Sequence, residues 1–186
     1  MAPPTADELR TLLRERLSPK RVLHTLGVES VAVNLTKRWG GDENDARIAA
    51  LLHDMTKEAP DQLKLLREYG ILTVMCEAAV PNVRHAITGA AFAKRLGYDD
   101  GIVSAIRWHS TGRAGMTVPE KILYLADWAE PFRADVPGLR EIRGCIYTDM
   151  DTAMLLGLKA TLRYVRDLGQ PVDRDTEEAI RWLEGL

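Results

Sequence analysis

AALLHDMTKEAP, residues 49–60, is the stretch on which the reading of this chain turns. Its first four residues are apolar and continue the helical periodicity of DENDARI before them. Two polar side chains, His53 and Asp54, then stand side by side at the end of what is otherwise a buried helix. Burying both costs desolvation energy unless something satisfies them. That partner has to come from elsewhere in the sequence.

Outward from this stretch, nearly every segment has helical spacing, and β-branched alternation is almost absent. Thr5 is placed to cap a first amphipathic helix. Ser18 followed by Pro19 opens a second that ends at Gly40-Gly41. Asp42 opens the helix carrying His53, and Pro60 opens a short one. NVRHAITGAAFAKRLG closes at Gly97, DDGIVSAIRWHSTG closes at Gly112, and PEKILYLADWAEPFR lies between two prolines. Two helices are expected in the last third, with Asp175 and Glu178 at capping-box spacing. GLREIRG, residues 138–144, reads as a solvated face. The fold class is all-α, a bundle of roughly eight to ten helices with short connections.

Composition narrows the function classes. The 186 residues carry a net charge of -2, with no basic stripe to follow a nucleic-acid backbone, so any anionic ligand must be held by locally placed cations. Cys76 and Cys145 are far apart and form neither a disulfide framework nor a thiolate zinc site; they read as two buried thiols in a reducing compartment. The amino terminus has no apolar signal-peptide region, and no run is long enough to cross a membrane. A cytoplasmic protein is expected, with a small-molecule ligand, no nucleic acid and no membrane partner.

The chain has four histidines, His24, His53, His85 and His109, each in a different predicted helix. Taken singly, each is by default a hydrogen-bonded core residue. Together with Asp54 and the later Asp127 they form an ordered set, H…HD…H…H…D. Four imidazoles and two carboxylates without sulfur suit Fe, Mn, Co, Ni or Zn rather than a structural thiolate site. A helical bundle projects such side chains readily into a shared core. Metal ions would satisfy His53 and Asp54, and adjacent positions would let one turn serve two ions.

HD followed by Lys57, RHAITGA, IRWHSTG and EKILYLADWAEPFR together resemble the HD-domain superfamily and, more narrowly, the YqeK family of small bacterial HD-domain hydrolases. The resemblance covers the chain from about Arg21 to Arg143 and implies a single HD domain over 1–186, with helices of 146–186 packed onto it. It implies a di-iron centre, with Mn, Co or Ni as other occupants, and symmetrical hydrolysis of diadenosine tetraphosphate to two ADP. Carried over by position, it puts His24, His53, Asp54 and Asp127 on one ion, with Asp54 bridging to a second completed by His85 and His109. Asp173-Arg174 stands where the family more usually has His-Pro, and Ser110 where it more often has Thr.

The mechanism expected from this set is attack on an inner phosphorus by a hydroxide held between two cations about 3.5–4 Å apart. Asp54 and Lys57 are the catalytic candidates. Helical spacing puts Lys57 on the ligand side, and Arg21 and Arg133 are the next cations for phosphate. Ser110 and Thr111, with the backbone N–H of Gly112, complete the substrate-binding candidates, beside the ligand residues His24, Asp54, His85, His109 and Asp127. Trp108, Tyr124 and Trp128 could stack on adenine, but their spacing is that of core. The competing readings are an HD phosphohydrolase acting on a dNTP or cyclic nucleotide, and a non-catalytic metal-binding interaction module.

Overall fold

The structure is a computed structural model and describes residues 2–71 and 80–185. Cys76 and Met75, read from the sequence as buried thiol and core filler, lie outside the described residues. Among the described residues there are ten α-helices, one 3-10 turn and no strand. They are α1 (Ala6–Arg16), α2 (Pro19–Trp39), α3 (Glu43–Leu52), α4 (Gln62–Glu68), α5 (Arg84–Arg95), α6 (Asp100–Trp108), α7 (Val118–Ala129), α8 (Leu139–Cys145), α9 (Met150–Asp167) and α10 (Arg174–Glu184), with the 3-10 turn at Pro81–Val83 before α5. No helix among these residues is long and apolar enough to cross a membrane.

Local chemistry sets the helix starts. Thr5 and Glu8 form a reciprocal capping box at α1, and Thr117 with Glu120 does the same at α7. Ser18 accepts from the Arg21 N–H, and Pro19 takes the first helical position of α2. The same serine donates both its N–H and its hydroxyl to Glu58, each at 2.7 Å, so the start of α2 is pinned to the segment after His53-Asp54. Asp42 caps α3 through the N–H groups of Asn44 and Asp45.

Three expectations need correction. The cap of α10 is Asp173, which accepts from the Asp175 N–H at 2.9 Å; the helix therefore starts before Asp175, which already lies in its first turn. GLREIRG is not merely a solvated face. Leu139 and Ile142 are buried, and the Arg143 guanidinium donates to the carbonyls of Ala129 (3.2 Å) and Glu130 (2.5 Å) at the end of α7. Those carbonyls have no partner within the helix, and a cation suits that end of its dipole. Cys145 is a free thiol and only partly buried.

A continuous core of Leu9, Val28, Leu35, Leu51, Leu125 and Leu158 joins α1, α2, α3, α7 and α9. A smaller cluster of Leu66, Val80, Val83 and Ile87 lies between α4 and α5. Helix α2 packs on α3 and α7, α6 on α5 and α7, and α9 on α7, α8 and α10. The ends of α3, α6 and α7 and the first turn of α5 thereby gather near the first third of α2, around His24.

Gly89 makes one of these approaches possible. A Cβ there would lie 3.2 Å from the His53 carbonyl oxygen and 3.4 Å from Ile106, so α5 presses directly on the backbone at His53. Gly89→Ala gains helix propensity, but backbone cannot yield as a side chain can. We expect a net loss of about 1–3 kcal/mol, read as a lower urea midpoint at unchanged m-value. An unchanged or raised midpoint would show that the contact is not tight.

Candidate metal centre

Helix α3 stops at Leu52, and the chain tightens. The N–H of Met55 bonds Leu52 O, that of Lys57 bonds Asp54 O, and that of Ala59 bonds Thr56 O. In such three-residue turns, positions i and i+3 eclipse. Lys57 therefore shares a side with Asp54, its Nζ 3.6 Å from Oδ1, although it sits on a turn and not on the helix expected from the sequence. Thr56 below this turn donates to the His85 carbonyl at 3.2 Å and lies 2.7 Å from the Thr88 hydroxyl, which in turn bonds Gln62. This buried polar chain fixes the first turn of α5, and with it His85.

The folded chain brings all four histidines and both aspartates to one place. His53, Asp54, His85 and His109 are buried. Asp54 divides the group. Its Oδ2 lies 3.6 Å from His24 Nε2 and 3.5 Å from His53 Nε2, while its Oδ1 lies 3.4 Å from His85 Nε2 and 3.8 Å from His109 Nε2. Asp127 joins the first half, its Oδ1 3.3 Å from His24 Nε2. Nε2 atoms face each other at 3.4 Å (His24 and His53) and 3.1 Å (His85 and His109).

The outer ring nitrogens show what those inner atoms are. His53 Nδ1 sits 2.6 Å from Ala50 O, His109 Nδ1 2.7 Å from Ile106 O, and His24 Nδ1 3.1 Å from Glu130 Oε1. Each partner accepts, so each Nδ1 carries hydrogen, and a ring that holds no second proton turns an Nε2 lone pair inward. Lone pairs converging on carboxylates repel unless a cation sits among them. Among the described residues, no donor reaches Asp54 Oδ1 within hydrogen-bond distance, though the atom is buried. An orphaned carboxylate oxygen, nitrogen-rich surroundings and the absence of sulfur together fit a divalent metal. Two triads, His24–His53–Asp127 and His53–Asp54–His109, are compact enough to hold an ion.

The electrostatics agree. Burial would raise the Asp54 carboxyl, but His53 and Lys57 hold it well below the usual range. Asp127 is likewise held low against burial, chiefly by Arg133. Burial depresses His53, yet the adjacent Asp54 carboxylate outweighs it and the net direction is up: positive charge is wanted at that ring. His85 is pushed well down by burial and by the Lys57 ammonium 2.9 Å away, and His109 falls to about 4, mainly through burial.

The remaining predicted site residues divide. Arg21 donates to Asp54 Oδ2 at 2.7 Å, and Arg133 donates to the Asp127 carboxylate and carbonyl, both at 2.7 Å. Ser110 Oγ is 3.1 Å from both His85 and His109 Nε2. These residues, Lys57 and Thr111 line a cleft of about 970 Å3 that runs from Asp54 to α9 and the α9–α10 loop. Gly112 does not line it. Its N–H is spent on Trp108 O, and its φ of +65° makes the turn against Leu158. Of the aromatics, Tyr124 is core, whereas Trp128 lines the cleft with the Arg133 guanidinium 5.4 Å from its ring centre. Arg174 is exposed and paired with Glu178.

Glu130 was missed. It is buried, its Oε1 accepts from His24 Nδ1, and its Oε2 accepts from the Phe132 N–H at 2.6 Å. The sequence signal was there in ADWAEP: an acidic residue between an alanine and a proline, at the end of an otherwise apolar helix.

The HD-domain family profile matches residues 21–131. The chain belongs to the HD-domain family, in its YqeK branch. It is 35% identical over 180 residues, 95% of this chain and 96% of the relative, to the symmetrical bis(5'-nucleosyl)-tetraphosphatase of Bacillus subtilis (strain 168). It is 34% identical to the enzyme of the same name from Halalkalibacterium halodurans, over 89% of each chain. Among solved structures, a Clostridium acetobutylicum protein described as a predicted HD superfamily hydrolase involved in NAD metabolism superposes with a TM-score of 0.92, at 31% identity over 99% of both chains.

The protonation pattern predicts how the metal-free protein responds to acid. Between the ordinary histidine value of about 6.5 and about 4, the unfolded chain binds a proton at His109 that the folded chain refuses. Stability therefore falls as pH falls through that window. His85 acts in the same sense, and His53, shifted upward, opposes it. We expect the melting temperature of metal-free protein to drop between pH 7 and pH 5, with His109 alone contributing on the order of 1–2 kcal/mol. A flat or rising profile would contradict the depressed affinity of the buried His85 and His109 rings for a proton.

Proposed function

We propose that the protein is a metal-dependent hydrolase that cuts diadenosine tetraphosphate at its central anhydride, giving two ADP. The observation that carries this reading is the Asp54 carboxylate. Its two oxygens face separate groups of imidazole nitrogens, and one of them has no donor within hydrogen-bond reach among the described residues. In this reading His24, His53, Asp54 and Asp127 hold one ion, and Asp54, His85 and His109 hold the other. Divalent ions at these positions supply Lewis-acid polarisation of a phosphoryl oxygen and activation of water near neutral pH. The choice of tetraphosphate substrate and symmetrical cleavage is supported by the relatives' names.

The chain's own groups manage the substrate's negative charge. The Lys57 ammonium stands 2.9 Å from His85 Nε2 at the cleft, a point charge ready for a phosphate oxygen. Arg21 and Arg133 each lean on a carboxylate of the cage and present planar guanidinium groups suited to phosphate. Ser110 and Thr111 offer hydroxyls on the same wall. A cleft of about 970 Å3 lies at the upper end of the usual range for small-molecule sites, about 300–1,000 Å3, as a dinucleotide requires.

Iron is the ion we propose, from the family resemblance; the donor set would also take Mn, Co or Ni. We read residues 1–186 as one HD unit in which the segment 146–186 supplies the far wall of the cleft, supported by Tyr164, Leu168 and Val172 lining it. A cytoplasmic location goes with this reading, and two cysteines in no framework spacing support it.

Product analysis tests the reaction. ADP as sole product from diadenosine tetraphosphate is expected. AMP with ATP would overturn the symmetrical assignment, and turnover of a dNTP or cyclic nucleotide alone would overturn the substrate. Lys57→Ala should keep its metal while kcat falls by about 10²–10³-fold, the usual cost of losing one charge-stabilising donor. Undiminished kcat would remove Lys57 from the mechanism.

A further inference from the structure

Among the described residues, His24, His53 and His109 each have an outer partner at Nδ1, and these partners differ. His53 and His109 give Nδ1–H to neutral backbone carbonyls three residues earlier in their own segments. His24 gives its Nδ1–H to a buried carboxylate from another helix, Glu130. We propose that Glu130 is a positioning residue for the ion on the His24 side and makes that position the tighter of the two. The inference rests on the two-ion reading above.

Several features hold Glu130 in place for this work. Its Oε2 takes the Phe132 N–H at 2.6 Å, and the Arg143 guanidinium grips its backbone carbonyl at 2.5 Å. Gly27 on α2, one turn after His24, leaves the space the carboxylate fills: a Cβ there would come within 2.9 Å of Glu130 Oε2. A carboxylate behind an imidazole fixes the tautomer and ring angle, and strengthens the inner nitrogen as a donor to a cation. On the other side, an ion would compete with the Lys57 ammonium for the single lone pair of His85 Nε2. Glutamine cannot replace Glu130. Two N–H groups converge on the carboxylate, and an amide has one acceptor and one donor.

Equilibrium dialysis of the full chain against Mn2+ tests this, with circular dichroism as a check on folding. Wild type should bind two ions in separable steps. Glu130→Gln should weaken the tighter step by about 10–100-fold and leave the other unchanged. Its imidazole 15N spectrum should lose the His24 Nδ1–H signature, which a purely structural role would not alter. Gly27→Ala keeps the charge but crowds the carboxylate; it should shift the same step, and it decides the matter if Glu130→Gln does not fold. Folded variants with both steps unchanged, or both weakened alike, would overturn the role of Glu130. Wild type that binds no Mn2+ would instead sink the two-ion reading beneath it.

Discussion

Among the described residues, the buried Asp54 carboxylate accepts a hydrogen bond on one of its two oxygens, and imidazole Nε2 atoms surround it. Arg21 and Lys57 offset part of the buried charge, and the neighbouring rings could add to that only by taking up protons, which burial at His85 and His109 opposes. Cations resolve the conflict. Much else in the fold is arranged around this local requirement for positive charge.

The fold meets that requirement by ending elements at the same point. Helix α3 stops just before His53, α6 just before His109, and α7 just after Asp127, while α5 begins just before His85. Side chains at helix ends reach inward at angles that mid-helix positions cannot. Small residues let those ends approach: Gly89 against the His53 carbonyl, Gly27 beside Glu130. Buried hydroxyls at Thr56 and Thr88 tie the turn after Asp54 to α5. Stability and chemistry thus draw on the same residues.

Much of this was legible from residue type and order. The helical class, the starts of α1, α2 and α3, and the gathering of H…HD…H…H…D followed from periodicity, caps and the cost of burying His53 and Asp54. Other features depend on contacts distant in sequence. Glu130 looks like any acidic residue at a helix end until His24, 106 positions away, is found against it. Arg143 sits in a charged run, and only the nearness of α7 shows that it caps that helix. Gly112 follows the histidine of IRWHSTG, a natural candidate for phosphate contact, but its amide is already consumed by the turn. The cap of α10 was misplaced by two residues because Asp173 and Asp175 are both competent caps, and packing against Thr111 through Thr176 chooses between them.

The central claim is that the imidazoles and carboxylates around Asp54 hold a pair of ions that share it. Anomalous diffraction at the iron edge, from crystals of protein purified without chelator, addresses this directly. Two peaks are predicted, one among His24, His53 and Asp127 and one between His85 and His109, with an Asp54 oxygen on each. A single peak, or a cage whose imidazole rings turn away from an empty centre, would contradict it.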